Sequence, residues 1–487
     1  MSVRCATLWA VTDADPSHPG VRQEPALSAD ELVRLAGGRL LARSERPIRG
    51  GAVDSRAVGP GQLFVALPGE RTDGHRFLSD AVARGAAALV VTRPPDDLAS
   101  LGDLTVVRVA DALAALHAVA AGWRTRFDPL VVGVTGSIAK TSAKEAIATV
   151  LGTRFRTLKN EGNQNNEVGL PLTVLKLGPE HEAAVLEMGM YVGGEIADLA
   201  RIGRPSIGVV TAVQAVHLSR IGSLRAIERA KGELLEALPP RGTAVLNADD
   251  PIVRGMSVRT VARSATYGFA EDADVRAVEV ASAGLAGMRF ILVAAGERRP
   301  VTIPTLGRLA VHNALAAAAV GLAAGLDLDT IAEGLAHGWS APHRGQLVRA
   351  GGVTIVDDSY NASPGSVTAA LDLLGGLPGR RVAVLGEMLE LGDAHVAGHL
   401  EVGEAAAGVA DLLVVVGDEA LAIADGARDA GLNPAKVLLA HDRETALDIL
   451  RPRLREGDVV LVKASRGIAL DLLVDDLRAE LGGAPAR

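Results

Sequence analysis

The chain is short of lysine. Of its 50 basic residues, seven are lysines, at positions 140, 144, 159, 176, 231, 436 and 463, and the other 43 are arginines. The two cations are not interchangeable. An ammonium is a compact donor on a flexible stem and can lose its proton, whereas a guanidinium is a rigid, permanently charged fork. Each lysine retained in such a chain is therefore a candidate for chemistry that arginine cannot perform. Cysteine is scarcer still, with Cys5 alone. That excludes an internal disulfide framework and any zinc site built from several thiolates. Apolar runs are short: the longest, Ala314–Leu326, has thirteen residues, against the ~18–20 a membrane span needs. Met1–Val11 carries one arginine and a short apolar patch before Asp13 and Asp15, a poor match to a signal peptide, so a cytoplasmic protein is expected. The formal charge of −8 leaves no basic excess for a nucleic-acid surface.

What is present is a long, ordinary globular composition: 487 residues, 48% hydrophobic and 22% charged. A single core stops growing near ~250–300 residues, so several domains are expected. From about Leu130 onward, near-continuous apolar runs alternate with helical patterns: Leu130–Val134, Ala183–Leu186, Ile207–Val213, Thr243–Leu246, Val353–Val356, Arg381–Leu385, Leu412–Val416 and Val459–Val462. Such runs read as buried parallel strands in α/β layers. The stretch from Ser264 to Pro304 breaks the rhythm with alternating segments and predicts a small antiparallel patch. Leu63–Leu67 and Ala87–Val91 give the region before Arg126 strands of its own. The reading is an α/β protein of three domains, 1–126, 127–344 and 345–487.

Val131–Thr141 reads VVGVTGSIAKT: a strand, a glycine turn, then Lys140-Thr141 opening a helix. Such a loop can present backbone N–H groups and a lysine to phosphates, with the threonine hydroxyl on Mg²⁺. The spacing departs from the general Walker pattern, so an ordinary strand–turn–helix stands at even odds. Lys144 and Glu145, further along this helix, are expected to be solvated. Glu187 ends the strand run AAVLEM at the carboxyl edge where α/β sheets bind ligands, and His217 follows another strand there. Either could ligate Mg²⁺ or simply face water. Lys231 falls on the apolar stripe of the helix Ser223–Leu238, so it is either a snorkelling stem or a chemically special lysine. No nucleophile–histidine–carboxylate constellation stands out, and covalent catalysis is not expected.

These motifs, with their order along the chain, resemble the Mur ligases of peptidoglycan synthesis. The closest branch is the one that adds D-alanyl-D-alanine to UDP-N-acetylmuramoyl-tripeptide. The resemblance runs from about Ala52 to Leu473. It implies a small N-terminal domain for the UDP-sugar, a central P-loop ATPase domain and a C-terminal Rossmann-like domain for the incoming dipeptide. DSRAVGPGQLFVALPGERTDGH (Asp54–His75) is similar to the UDP-sugar segment, with Ser55 and Arg56 on the uridine diphosphate. GVTGSIAKTSAKE is similar to the family phosphate loop, bringing Gly136, Ser137, Ala139, Lys140, Thr141 and Ser142 to ATP. In EGNQNNEVGLPLTVLKL (Glu161–Leu177), Asn163, Asn165 and Asn166 would face the muramyl substrate. Glu187 and His217 match magnesium ligands, and Lys231 matches a lysine carbamylated by CO₂, an adduct arginine cannot form.

Asn313 in HNALAAAA would meet adenine, Arg344 in HRGQ the phosphates, and Asp358 in DDSYNASPGS the ribose. Tyr360 and Asn361 would lie beside the reaction. Lys463, Ser465 and Arg466 in LVKASRG, with GEMLELG and His399, complete the dipeptide domain. The resemblance thus implies an ATP- and Mg²⁺-dependent ligase working through an acyl phosphate, as a monomer, with Lys140, His217, Lys231 and Arg344 catalytic. The alternatives are a sister ligase, such as a folylpolyglutamate synthase, and a non-catalytic nucleotide binder. Two residues depart from the family: Ala139 and Ala464 replace glycines. Ala139 introduces strain if its φ is positive and none if it is helical; retention of Lys140-Thr141 favours the helical case.

Overall fold

The computed structural model describes residues 24–69, 72–214 and 223–482. Three sheets follow one another along the chain. The first has five strands, in the order Arg39–Ala42, Thr105–Arg108, Ala88–Val91, Leu63–Val65 and Gly51–Ala52, parallel except for the first pair. The helix Ala112–Arg124, capped by Asp111, leads into the central sheet. The two units share one core: Leu63, Val65, Leu116 and Trp123 pack in the same cluster as Val131, Leu170, Leu186 and Ile196. Trp123 Nε1 donates across this boundary to Leu177 O at 3.0 Å.

The central sheet has nine strands: Glu297–Ile303, Met288–Ala294, Val275–Ser282, Arg263–Gly268, Thr243–Asn247, Ile207–Val210, Leu130–Thr135, Ala183–Glu187 and Thr157–Lys159. Pairing is parallel from Thr157–Lys159 to Val275–Ser282, then antiparallel through two hairpins. The expected antiparallel patch is formed by these two hairpins. It is one end of the same sheet, and Arg263–Gly268 within it is parallel. The strand expected over Ile207–Val213 stops at Val210. Its continuation turns toward the phosphate loop, with Thr211 Oγ1 donating to Ile138 O at 2.6 Å.

The third sheet has the order Gln346–Ala350, Val353–Asp357, Val459–Lys463, Arg381–Gly386, Leu412–Val416 and Val437–Ala440, parallel after an antiparallel first pair. Val459–Lys463 and Leu412–Val416 are near-continuous Val/Leu runs buried throughout, as layers covered by helices require, while the outer strand Val437–Ala440 leaves Leu439 exposed. The strand end Lys463, with Asp358 just after the end of Val353–Asp357, lines the same cleft as Glu187 at the end of its central-sheet strand. Among the described residues no helix is long and apolar enough to cross a membrane.

Candidate active site

The site begins where the strand Leu130–Thr135 ends. Gly136 has φ +151°, and a Cβ there would lie 1.9 Å from Thr211 Oγ1, so no other residue fits. Ser137 is held from the side: its N–H donates to Ala212 O at 2.7 Å, its hydroxyl donates to Gln214 O at 3.0 Å and accepts from Gln214 N at 2.9 Å. Ala139 then takes φ +64°, ψ 2° and becomes the N-cap of the helix Lys140–Gly152, with no side chain capping its first turn. Those first-turn N–H groups are what a phosphate would engage. The expectation that Ala139 is helical is thus overturned: the turn needs the left-handed conformation, which costs an alanine about 1 kcal/mol.

Glu187 lies at the next strand end, 1% exposed. Thr141 Oγ1 donates to its Oε2 at 2.8 Å and Asn165 Nδ2 to its Oε1 at 2.7 Å. Asn160, fully buried, forks onto its backbone, accepting from Glu187 N at 2.9 Å and donating to Glu187 O at 3.1 Å. Both hydrogen-bond partners of this carboxylate are neutral. With the threonine hydroxyl it forms a hard-oxygen pair of the kind Mg²⁺ takes. His217 lies outside the described residues. Among the described residues no cluster of three or more His, Cys, Asp or Glu side chains is placed to hold a metal.

Lys231 sits in the helix Leu224–Glu236, whose N-cap Ser223 accepts from Ala226 N. Its stripe neighbours Ile227, Leu234 and Leu235 are buried, and so is Lys231 itself at 3% exposure. The snorkelling reading is excluded. Burial first, and the nearby charge of Lys140 second, push the Lys231 amine well below its ordinary 10.5. Lys140 is also lowered, by burial and by Arg344, with Glu187 opposing.

The opposite wall comes from the third sheet. Lys463, 3% exposed, donates to Asp358 Oδ2 at 2.6 Å and to Asn361 O at 2.8 Å, bracing the Asp358–Asn361 turn. The Arg344 guanidinium stacks 4.0 Å from the Tyr360 ring centre, and that of Arg466 approaches to 5.5 Å. His343, at φ +58°, pairs through Nδ1 with the buried Asp357 at 2.7 Å. Ser465 Oγ accepts from Leu389 N at 2.9 Å. Ala464 is buried with its methyl against Gly386, where a second Cβ would approach to 2.8 Å, so this departure is accommodated by a glycine opposite. His399 supports the same loop: Nε2 accepts from Met388 N at 3.0 Å and Nδ1 donates to His395 O at 2.7 Å.

A cleft of about 460 Å³ joins the two walls. It is lined by Gly136, Ser137, Ala139, Lys140, Ser142, Asn163, Asn165, Asn166, Glu187 and Lys231 on one side and by Arg344, Asp358, Tyr360, Asn361, Lys463, Ser465 and Arg466 on the other. Thr141 lies buried behind it and reaches it through Glu187. Ser55 and Arg56 are not in its lining: they form a 3₁₀ turn in the first domain, where Arg56 pairs with Asp54 at 2.7 Å. Nor is Asn313, buried in the helix Arg308–Ala323 beside His312, which meets Asp249 at 2.9 Å. A larger but shallow groove, about 680 Å³, lies behind the edge strand Thr157–Lys159 and gathers none of these groups.

Sequence reading missed several contributors. Met190 and Tyr191, lining the cleft, directly follow Glu187 on the sheet's carboxyl edge, and that position was the available signal. Lys144 and Glu145 are not solvated: they are 0% and 8% exposed. Lys144, Ile147 and Leu151 repeat at i, i+3 and i+7, the same stripe argument that singled out Lys231.

Comparison with known proteins places this geometry. Three family models match successive parts of the chain: "Mur ligase family, catalytic domain" over residues 47–124, "Mur ligase middle domain" over 134–321, and "Mur ligase, glutamate ligase domain" over 343–466. The UDP-N-acetylmuramoyl-tripeptide–D-alanyl-D-alanine ligase of Mycobacterium tuberculosis (strain CDC 1551 / Oshkosh) is 38% identical over 470 residues, covering 88% of this chain and 91% of its own. The crystal structure of MurF from Acinetobacter baumannii superposes with a TM-score of 0.84 at 30% identity, covering 94% of this chain and 99% of its own. MurF ligase from Thermotoga maritima, solved in complex with ADP, gives 0.78 at 30% identity, covering 89% and 98%. With its three sheets, its phosphate loop and its cleft in family order, the chain belongs to the Mur ligase family.

Proposed function

We propose that the cleft joins D-alanyl-D-alanine to UDP-N-acetylmuramoyl-tripeptide at the expense of ATP, a peptide addition of peptidoglycan synthesis. The observation that carries this is the meeting of a phosphate loop and the acidic–hydroxyl pair Thr141–Glu187 on one wall with Arg344, Asp358 and Tyr360 on the other. The tripeptide's terminal carboxylate attacks the γ-phosphorus of ATP, and ADP leaves. The dipeptide amine then attacks the acyl carbon of the acyl phosphate and loses a proton, and inorganic phosphate leaves. Both steps require positioning and charge neutralisation more than covalent help from the protein.

Lys140 and Arg344 hold the transferring phosphoryl oxygens. Thr141 and Glu187, with His217 as a third ligand, would hold Mg²⁺, which supplies charge neutralisation between the phosphates. Asn313 serves adenine and Asp358 the ribose. Asn163, Asn165 and Asn166 face the muramyl part, and Ser55 and Arg56 the uridine diphosphate. The domains 1–126, 127–344 and 345–487 divide the work between UDP-sugar, ATP and dipeptide. Ser465 and Arg466 approach the dipeptide. Lys463, its amine already engaged by Asp358 and Asn361, shapes the turn that does so. The ligase is read as working as a monomer.

Lys231 carries a carbamate in this reading. Its amine is buried and displaced toward the neutral form, which is the form that adds CO₂. The nitrogen bonds the CO₂ carbon, one C=O bond opens to a carboxylate and the nitrogen's proton passes to solvent, and the resulting anion offsets Lys140 and Arg344. The test is the product mass after incubation with ATP, Mg²⁺, D-alanyl-D-alanine and UDP-muramoyl-tripeptides differing in their third residue. A UDP-muramoyl-pentapeptide is expected. Turnover confined to another acceptor would overturn the assignment.

A further inference from the structure

Four of the seven lysines have no part in the chemistry above, and three of them, Lys144, Lys159 and Lys176, converge. Lys144 Nζ donates to Asn160 O at 2.6 Å and to Gly162 O at 3.3 Å. Lys176 Nζ holds Glu161 at 2.9 Å. Lys159 pairs with Glu145, and the other oxygen of that carboxylate receives Lys144 at 3.1 Å. All three contacts fall on residues 159–162, the segment that runs directly into Asn163, Asn165 and Asn166. Lys144 is the centre of this arrangement and is wholly enclosed, with 0% exposure. An enclosed cation is costly unless its donors are matched, and here two carbonyls and a carboxylate match them.

We propose that Lys144 is a positioning residue: from within the phosphate-loop helix it clamps the backbone of Asn160–Gly162 and so sets the asparagine loop against the cleft. The next contacts continue the chain of support. Asn160 Nδ2 donates to Gln164 O at 2.7 Å, and Gly189 N donates to Asn165 O at 2.8 Å. Glu187 is also held by its own strand and by Thr141, so losing the clamp displaces the asparagines more than the nucleotide side. Arginine cannot replace this lysine, because a planar five-donor fork does not fit an enclosed space whose acceptors are two carbonyls and one carboxylate.

The effect on substrate rests on the assignment of the asparagines to the muramyl substrate, so the test has two arms. Lys144→Met is expected to raise KM for UDP-muramoyl-tripeptide at least tenfold while KM for ATP stays within twofold. Equal changes in both, or in neither, would overturn the clamp. In the second arm, hydrogen exchange at the amides of Gln164 and Asn165, which donate to Glu161 O and Asn163 O, is expected to quicken at least tenfold in Lys144→Met. Unchanged exchange overturns the clamp whichever substrate binds, whereas a wild type that fails to ligate refutes the substrate assignment alone. Should Lys144→Met not fold, Lys176→Met decides. Its ion pair is 45% exposed on the lysine side and dispensable for folding. A two- to threefold rise in the UDP-substrate KM and faster exchange support the clamp, and no change in either overturns it.

Discussion

Thr141 and Glu187 are joined by a hydrogen bond of 2.8 Å between hydroxyl and carboxylate, at the point where the phosphate-loop helix starts and the neighbouring strand ends. Glu187→Gln keeps the size of the side chain and removes its charge. ADP release with all substrates present is expected to fall about 10²-fold or more, with the melting temperature nearly unchanged. ADP release within threefold of wild type would take Glu187 out of the reaction.

Lys231 gives a pH-dependent prediction whose sign can be worked out. In the unfolded chain its amine keeps a proton up to its ordinary 10.5, whereas burial in the folded protein releases the proton at lower pH. Between those limits the unfolded state binds more protons, so the cost to stability is present at neutral pH and fades as pH rises toward 10.5. Lys231→Met, assayed in carbon-dioxide-free buffer, is expected to be inactive yet more stable than wild type at pH 7. The gap should close toward pH 10. Thermal melts across that range check it, and a gap that does not vary with pH would contradict it.

Ala139 holds a backbone that only glycine adopts freely. Ala139→Gly is expected to stabilise the folded protein by roughly 0.5 kcal/mol, the relief of left-handed strain less the extra entropy of an unfolded glycine. A urea or thermal midpoint that moves down instead would mean the turn is not strained.

His399 supplies a lone pair to Met388 N–H and a proton to His395 O, an arrangement that requires the neutral ring. Burial, partly opposed by the His395 hydrogen bond, lowers its pKa below 6.5. Below that pH the unfolded chain takes up a proton that the folded one refuses, so stability falls as the solution is acidified. His399→Gln can still accept from Met388 and does not titrate. Its stability is expected to decline less steeply than wild type between pH 6.5 and 5, as followed by melting temperature.

Much of the site was legible because its residues are contiguous in sequence. Gly136–Ser142 and Glu187 lie at a strand end or in the turn after it, where period and punctuation are read directly, whereas Asn163, Asn165 and Asn166 come only from the family resemblance. What escaped was set by contacts between distant segments. Lys144 and Asn160 are sixteen residues apart, and no local pattern announces their bond. Ala139 was misjudged for a similar reason: whether a turn is left-handed depends on Thr211 and Ala212 pressing on Gly136 and Ser137 from another strand. The hairpins after Arg263 show in the sequence as alternating strands, but their joining to the central sheet depends on Val275–Ser282 pairing with Arg263–Gly268, which alternation alone does not encode.

The scarcity of lysine also decides how the protein meets amine-directed reagents. Lys144, Lys231 and Lys463 are closed off from solvent, and Lys140 is half-buried in the cleft. Acylating dyes, cross-linkers and activated resins would therefore find three open side-chain amines, Lys159, Lys176 and Lys436. Two of those flank the asparagine loop, and Lys436 lies beside the outer strand Val437–Ala440 of the third sheet. A label or surface attachment through Lys436 leaves the cleft untouched, whereas one through Lys159 or Lys176 pulls on the segment that shapes it.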